Sequence, residues 1–95
     1  MRKIKANSIE GKFEHILEED KVQVTHLSLK ENEEIPRHKS DRTVLVVIYR
    51  GLVRFIGEKE SEVISPGDLI FLKPNEEHGL VASKDSDLLV IKVDL

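Results

Sequence analysis

The stretch Ser65-Pro66-Gly67-Asp68-Leu69-Ile70-Phe71-Leu72-Lys73-Pro74-Asn75-Glu76-Glu77-His78 decides the architecture of this chain. Pro66 presets φ at the second position of a turn, and Gly67 accepts φ > 0 at the third, the pattern of a type II turn. Leu69 to Leu72 has the β-branched and aromatic character of a strand. A polar loop, Lys73 to Glu77, then leads to His78, which opens another extended piece ending at Ala82. Turn, strand, loop and strand follow one another too closely for a helix to intervene.

The same texture continues outward in both directions. Upstream, Val44 to Tyr49 is apolar almost throughout and reads as a central strand covered on both sides. Arg50-Gly51 offers a hairpin turn into Leu52 to Ile56, Gly57 to Glu60 makes a second turn, and Ser61 to Ile64 returns. Further back, Val22 to Leu29 alternates as a strand, the acidic segment Lys30 to Glu34 is a loop, and Ile35 to His38 is a short extended piece in which Pro36 opposes a helix. Downstream, Leu88 to Val93 closes the chain. Only Glu10 to Asp20 accommodates a helical stripe, through Phe13, Ile16 and Leu17, and it is read here as a strand. About eight short strands punctuated by turns specify an all-β protein, a closed barrel or a sandwich.

The totals fit one domain spanning residues 1–95, with residues 1–20 as an N-terminal arm and first strands. With no cysteine there is neither a disulfide framework nor a thiolate metal site, and the four histidines, His15, His26, His38 and His78, are the nitrogen ligands available. The net charge of −3 is spread in both signs, which opposes a nucleic-acid footprint, and the four aromatic rings are too few for base stacking. Met1-Arg2-Lys3-Ile4-Lys5 is basic with no apolar run behind it, and the longest apolar run is far too short to cross a bilayer. A soluble, cytoplasmic protein without nucleic-acid or membrane partners is expected.

Two pieces, within residues 29–82, resemble the cupin superfamily. The first, Pro36-Arg37-His38-Lys39-Ser40 followed by Val44 to Gly51, is similar to the first cupin motif, a His-x-His followed by a Glu and, seven positions later, a Gly. The second, Ser65 to His78, is similar to the second motif, in which Pro-Gly-Asp opens a strand and a Pro-containing loop leads to a His. The resemblance implies a double-stranded β-helix, the jelly-roll-like cupin barrel. It also implies metal ligands, and here the chain departs from the pattern. The first-motif His falls on His38 and the second-motif His on His78, but the second His of the pair falls on Ser40 and the Glu falls on Val44.

Two imidazoles alone leave most of a coordination sphere to water, since protein sites for such metals use three or four side chains. His38 and His78 therefore read either as hydrogen-bonding residues inside a cavity or as the remnant of a weak divalent-metal site with His26 as a third ligand. No cofactor is expected beyond such a loosely held ion. A cavity lined by His38, Ser40, Val44, Val46, Ile48 and His78 would suit a small organic molecule. Arg54, if on its side, could clamp a carboxylate or phosphate. Three readings stand: a metal-poor or metal-free small-molecule binder; a cupin enzyme (isomerase, lyase or oxygenase) using His38 and His78; and a non-catalytic interaction module. The thin core of so short a chain predicts a homodimer, with Ile4, Ile9 and Phe13 of the arm as contacts. Gly51 and Gly67 are predicted at φ > 0.

Overall fold

Period-two alternation along the longest apolar strand shows how the core is built. In the computed structural model, which describes residues 1–6 and 12–95, Thr43–Arg50 is a strand whose Val44, Val46 and Ile48 are each no more than 2% exposed. Leu45 and Val47, between them, are only half-buried on the opposite face. The inward row meets Leu27, Leu29, Val53, Phe55, Ile64, Leu72, Leu80, Ala82 and Leu88 from the other strands in one continuous core.

Nine strands carry this pattern: β1 (Phe13–Glu18), β2 (Val22–Leu29), β3 (Glu34–His38), β4 (Thr43–Arg50), β5 (Val53–Ile56), β6 (Ser61–Ile64), β7 (Leu69–Leu72), β8 (His78–Ala82) and β9 (Ser86–Val93). They form a five-stranded sheet ordered β1-β2-β9-β4-β7 and a four-stranded sheet ordered β3-β8-β5-β6, every ladder antiparallel. The non-sequential neighbours are the double-stranded β-helix crossing. Phe13 to Glu18 is a strand, as read, with a bulge between His15 and Leu17. Pro36 lies on the edge strand β3, where its missing N–H costs no ladder bond, and the β3–β8 register breaks around it. Among the described residues no helix is long and apolar enough to cross a membrane.

The turns explain the sequence signature. Gly67 has φ of 105°, and Asp68 closes its turn twice: its N–H donates to the Ser65 carbonyl at 3.0 Å, and its carboxylate accepts from the Ser65 N–H at 2.9 Å. Asp68 is thus a turn clamp. Gly51, with φ of 98°, is constrained by crowding as well, since a Cβ there would lie 2.1 Å from Ser86 Oγ. The loop after β7 is tied to the segment before β4 by the Asn75 N–H, which donates to the Ser40 carbonyl at 2.6 Å. That bond joins the loop before His78 to the segment after His38.

Candidate functional site

His38 ends β3 and His78 begins β8, and the two are directly paired across the ladder. Their ring centroids are 4.3 Å apart, edge to face, and Phe55 stacks on His78 at 5.7 Å. Each imidazole is fixed by its own backbone. His38 Nδ1 donates to the Pro36 carbonyl and His78 Nδ1 to the Glu76 carbonyl, both at 3.0 Å. A carbonyl can only accept, so both rings carry their proton on Nδ1 when neutral and leave Nε2 as a lone-pair acceptor. Burial pushes the His78 pKa below its ordinary value, and His38 and Lys92 lower it further against the opposing pull of the Glu76 carbonyl.

These rings stand over a cavity of about 80 Å³. Leu27, Ile35, Val46, Phe55, Leu80 and Val90 make its apolar walls, while Thr25, His38, His78 and Lys92 supply its polar atoms and Phe13 stands at its side. His15 adjoins this wall, sharing a 2.8 Å hydrogen bond between its Nδ1 and Thr25 Oγ1 and packing edge-on to Phe13 at 5.0 Å. A larger, open groove of about 420 Å³ runs between the β5–β6 hairpin and β7. Its carboxylates are spread along the rim, and Glu58 and Glu76 are already engaged as acceptors of the Glu77 and Lys73 N–H groups. The smaller cavity is where distinct polar groups converge.

Of the residues predicted to line a cavity, the structure brings together His38, Val46 and His78. Val44 and Ile48 point inward but are consumed by core packing, outside the cavity lining. Ser40 lies in the β3–β4 connection, where its Oγ accepts from the Arg42 N–H at 3.2 Å and its carbonyl anchors the Asn75 loop. Arg54 is exposed, because its neighbours Val53 and Phe55 take the inward face of β5. It therefore clamps nothing in the cavity.

His26 also falls elsewhere. Leu27 and Thr25 take the inward face of β2, so His26 is turned to the opposite face, 2.6 Å from Tyr49 Oη and 3.3 Å from Asp87 Oδ1. It cannot complete a site with His38 and His78. With its Nε2 protonated it serves both oxygens, and only the Nδ1 lone pair lacks a partner among the described residues. Arg50 pairs with Asp87 across the β4–β9 ladder. Partial burial raises the Asp87 pKa, but the hydrogen bonds from Arg50 and Ser28 outweigh it and hold the carboxyl below its ordinary value. Burial and the same Asp87 push the Tyr49 hydroxyl up. Of the arm residues, Ile4 lies beside Val47 and Leu89 on the outer face of the larger sheet, Phe13 is at the cavity, and Ile9 is outside the described residues.

Sequence reading missed Thr25 and Lys92. Leu88 to Val93 is apolar at nearly every position, so alternation cannot say which face is inward until the neighbouring strands are placed. The register settles it: Lys92 pairs with Val44 on one side and Gln23 on the other, in line with the inward Leu88 and Val90. The metal ligation that the cupin pattern implies does not fit this donor set. Val44 stands where the pattern has a carboxylate, its cross-strand neighbour is an ammonium group, and among the described residues no cluster of three or more His, Cys, Asp or Glu is placed to hold an ion.

A double-stranded β-helix with a histidine-bearing cavity between its sheets is a small cupin domain. The chain belongs to the AraC-like ligand-binding domain family, whose model matches residues 22–95. Solved structures give the same fold. A cupin superfamily protein from Desulfitobacterium hafniense superposes with a TM-score of 0.85 at 17% identity, covering 93% of this chain and 85% of its own. An RmlC-like cupin with a double-stranded β-helix fold from Methanocaldococcus jannaschii gives 0.79 at 20% identity, covering 98% and 90%. A conserved protein of unknown function from Streptococcus pyogenes gives 0.80 at 24% identity, covering 87% and 73%. Among curated protein sequences none matches this chain.

Proposed function

We propose that this protein binds a small organic molecule in the cavity between His38, His78 and Lys92, and does so without a resident metal. One observation carries the reading: apolar walls enclose about 80 Å³, and fixed imidazoles and an ammonium group converge on it. Apolar walls with a few oriented polar groups are the general make-up of small-molecule sites. The match to a ligand-binding domain family supports the same reading. The test is a set of small organic probes followed by NMR on the wild-type protein, reading the His38 and His78 imidazole resonances. Saturable shifts confined to the cavity support the reading, and a probe set that leaves both rings unmoved at tens of millimolar overturns it.

A second reading is enzymatic. Two imidazoles with ring centroids 4.3 Å apart, each left with Nε2 as an acceptor by a backbone hydrogen bond at Nδ1, are suited to proton transfer near neutral pH, as an isomerase or lyase requires. Turnover of a bound probe, abolished in His78→Gln with binding retained, distinguishes it from binding alone. Self-association belongs to the same proposal, because the outer face of the larger sheet is apolar across several strands; a cytoplasmic homodimer is the expected form.

A further inference from the structure

The cavity that the preceding reading assigns to a ligand has a polarity that narrows the ligand's chemistry. Lys92 lines it, and among the described residues Lys92 makes no ion pair. No aspartate or glutamate is among the lining residues. An ammonium group at an apolar cavity without a carboxylate partner favours an anion there, and such a charge-assisted contact is about twice as strong as a neutral hydrogen bond. The imidazoles ask for something else. With Nδ1 of each committed to a backbone carbonyl, His38 and His78 offer acceptors at Nε2, and burial holds His78 in this neutral form. A bare carboxylate would face those lone pairs unfavourably, whereas a hydroxyl hydrogen would be received by them. The walls made by Leu27, Val46, Leu80 and Val90 take neither charge nor hydroxyl, only alkyl surface.

The geometry points to a short aliphatic hydroxycarboxylate as the ligand class: carboxylate to Lys92, hydroxyl to Nε2 of the histidine pair, alkyl tail against the apolar walls. Size agrees. A cavity of 150 Å³ holds benzene, so about 80 Å³ suits a chain of a few carbons with its polar end toward the opening. This rests on the small-molecule reading and adds a sign and a donor requirement to it.

Four probes of one carbon skeleton separate the contributions: 2-hydroxybutyrate, butyrate, butane-1,2-diol and 2-amino-1-butanol. They are titrated at pH 7.5 into wild type, Lys92→Met and Lys92→Arg, following the His38 and His78 resonances. The expected order of affinity is 2-hydroxybutyrate, then butyrate and the diol, with the amine weakest. Lys92→Met is expected to weaken 2-hydroxybutyrate about tenfold, to the level of the diol, while Lys92→Arg keeps most of the affinity. Backbone spectra of Lys92→Met matching wild type show that the loss is not unfolding, and if the Met variant fails to fold, the ranking of the four probes on wild type still tests the charge and hydroxyl preferences. Equal binding of amine and hydroxyacid, or unchanged binding in Lys92→Met, overturns the hydroxycarboxylate assignment while leaving a ligand cavity in place. Silence from all four probes overturns both.

Discussion

Val44 and Lys92 are directly paired on the inner face of the β4–β9 ladder, so the position that a cupin metal site fills with a carboxylate is occupied by an alkyl group with an ammonium beside it. The charge of the site is thereby inverted relative to what a divalent cation requires. This yields a sharp expectation for redesign. Lys92→Glu places a carboxylate in the cavity with His38 and His78, giving two imidazoles and one carboxylate, a set that suits first-row divalent metals. Calorimetry with Ni²⁺ is expected to show weak binding to wild type and at least about tenfold tighter binding to Lys92→Glu. Ser40→His with Val44→Glu, the change that the sequence pattern alone would suggest, is expected to do worse, because Ser40 is outside the cavity and Val44 is embedded in the core. Tight stoichiometric metal in the wild type would contradict the argument.

The two positive-φ glycines are not equivalent. At Gly67 a Cβ meets nothing within 4 Å, so Gly67→Ala carries only the backbone strain of φ 105°, about 1 kcal/mol. At Gly51 the Cβ would lie 2.1 Å from Ser86 Oγ and 2.4 Å from the Asp85 carbonyl oxygen. Ser86 is fully buried, and its hydroxyl accepts from the Leu52 N–H and donates to the Lys84 carbonyl, so it cannot yield without losing those bonds. Gly51→Ala is expected to cost roughly 3 kcal/mol or more, with urea unfolding of the two variants as the check. Equal losses would show that the β4–β5 turn relaxes.

Stability is expected to fall on mild acidification, through His78. Burial lowers its folded pKa below the ordinary 6.5, so between the two values the unfolded chain binds the proton and the folded chain does not. Stability is therefore full above pH 6.5, declines as pH falls through that value, and levels off below the folded pKa. His38 and Lys92 lower the folded value further and so widen the pH window of the loss, while the carbonyl and charge of Glu76 oppose it. Chemical denaturation of wild type and His78→Phe from pH 7.5 to 5 is the measurement. A smaller slope in the variant is expected, and identical slopes would place the acid sensitivity elsewhere.

How much of this was legible in the sequence follows from which distances each feature spans. The turn at Ser65 to Asp68 and the strand after it are local, fixed by φ preferences and alternation, and they stand as read. His38 and His78 were paired through the spacing of two motifs, which encodes the loop that the Ser40 carbonyl anchors. The rest of the site depends on registers between strands far apart in the chain. Lys92 is inward because β9 pairs with β2 and β4 as it does, and a slip of one residue would expose it. His26 fails as a ligand for the same reason in reverse: the face of β2 that carries it is the outer one. Arg54 sits between two inward residues, and its own neighbours already indicated an outward side chain.

The outer face of the five-stranded sheet is apolar in two adjacent rows. Across its ladders Phe71, Leu45 and Ile91 form one apolar row, and Leu69, Val47 and Leu89 form the next. Phe71 is 57% and Leu69 58% exposed on β7, the edge strand of that sheet. Apolar rows of this kind on a domain surface mark an interaction site, and an edge strand beside them adds unpaired backbone groups. A second copy of the chain related by a twofold axis is expected to cover the part of this face that Ile4 of the arm leaves open, each row meeting its own counterpart. Arg50 and Asp87, paired at the end of the same face, would lie at the rim and contribute little to affinity while fixing register. Light scattering at tens of micromolar is expected to give twice the chain mass of 10.9 kDa. Leu69→Glu combined with Phe71→Glu is expected to give a folded monomer, since both side chains already face solvent in the single chain and their replacement leaves the core intact. A monomeric wild type, or a double variant that remains dimeric, would move the interface away from this face.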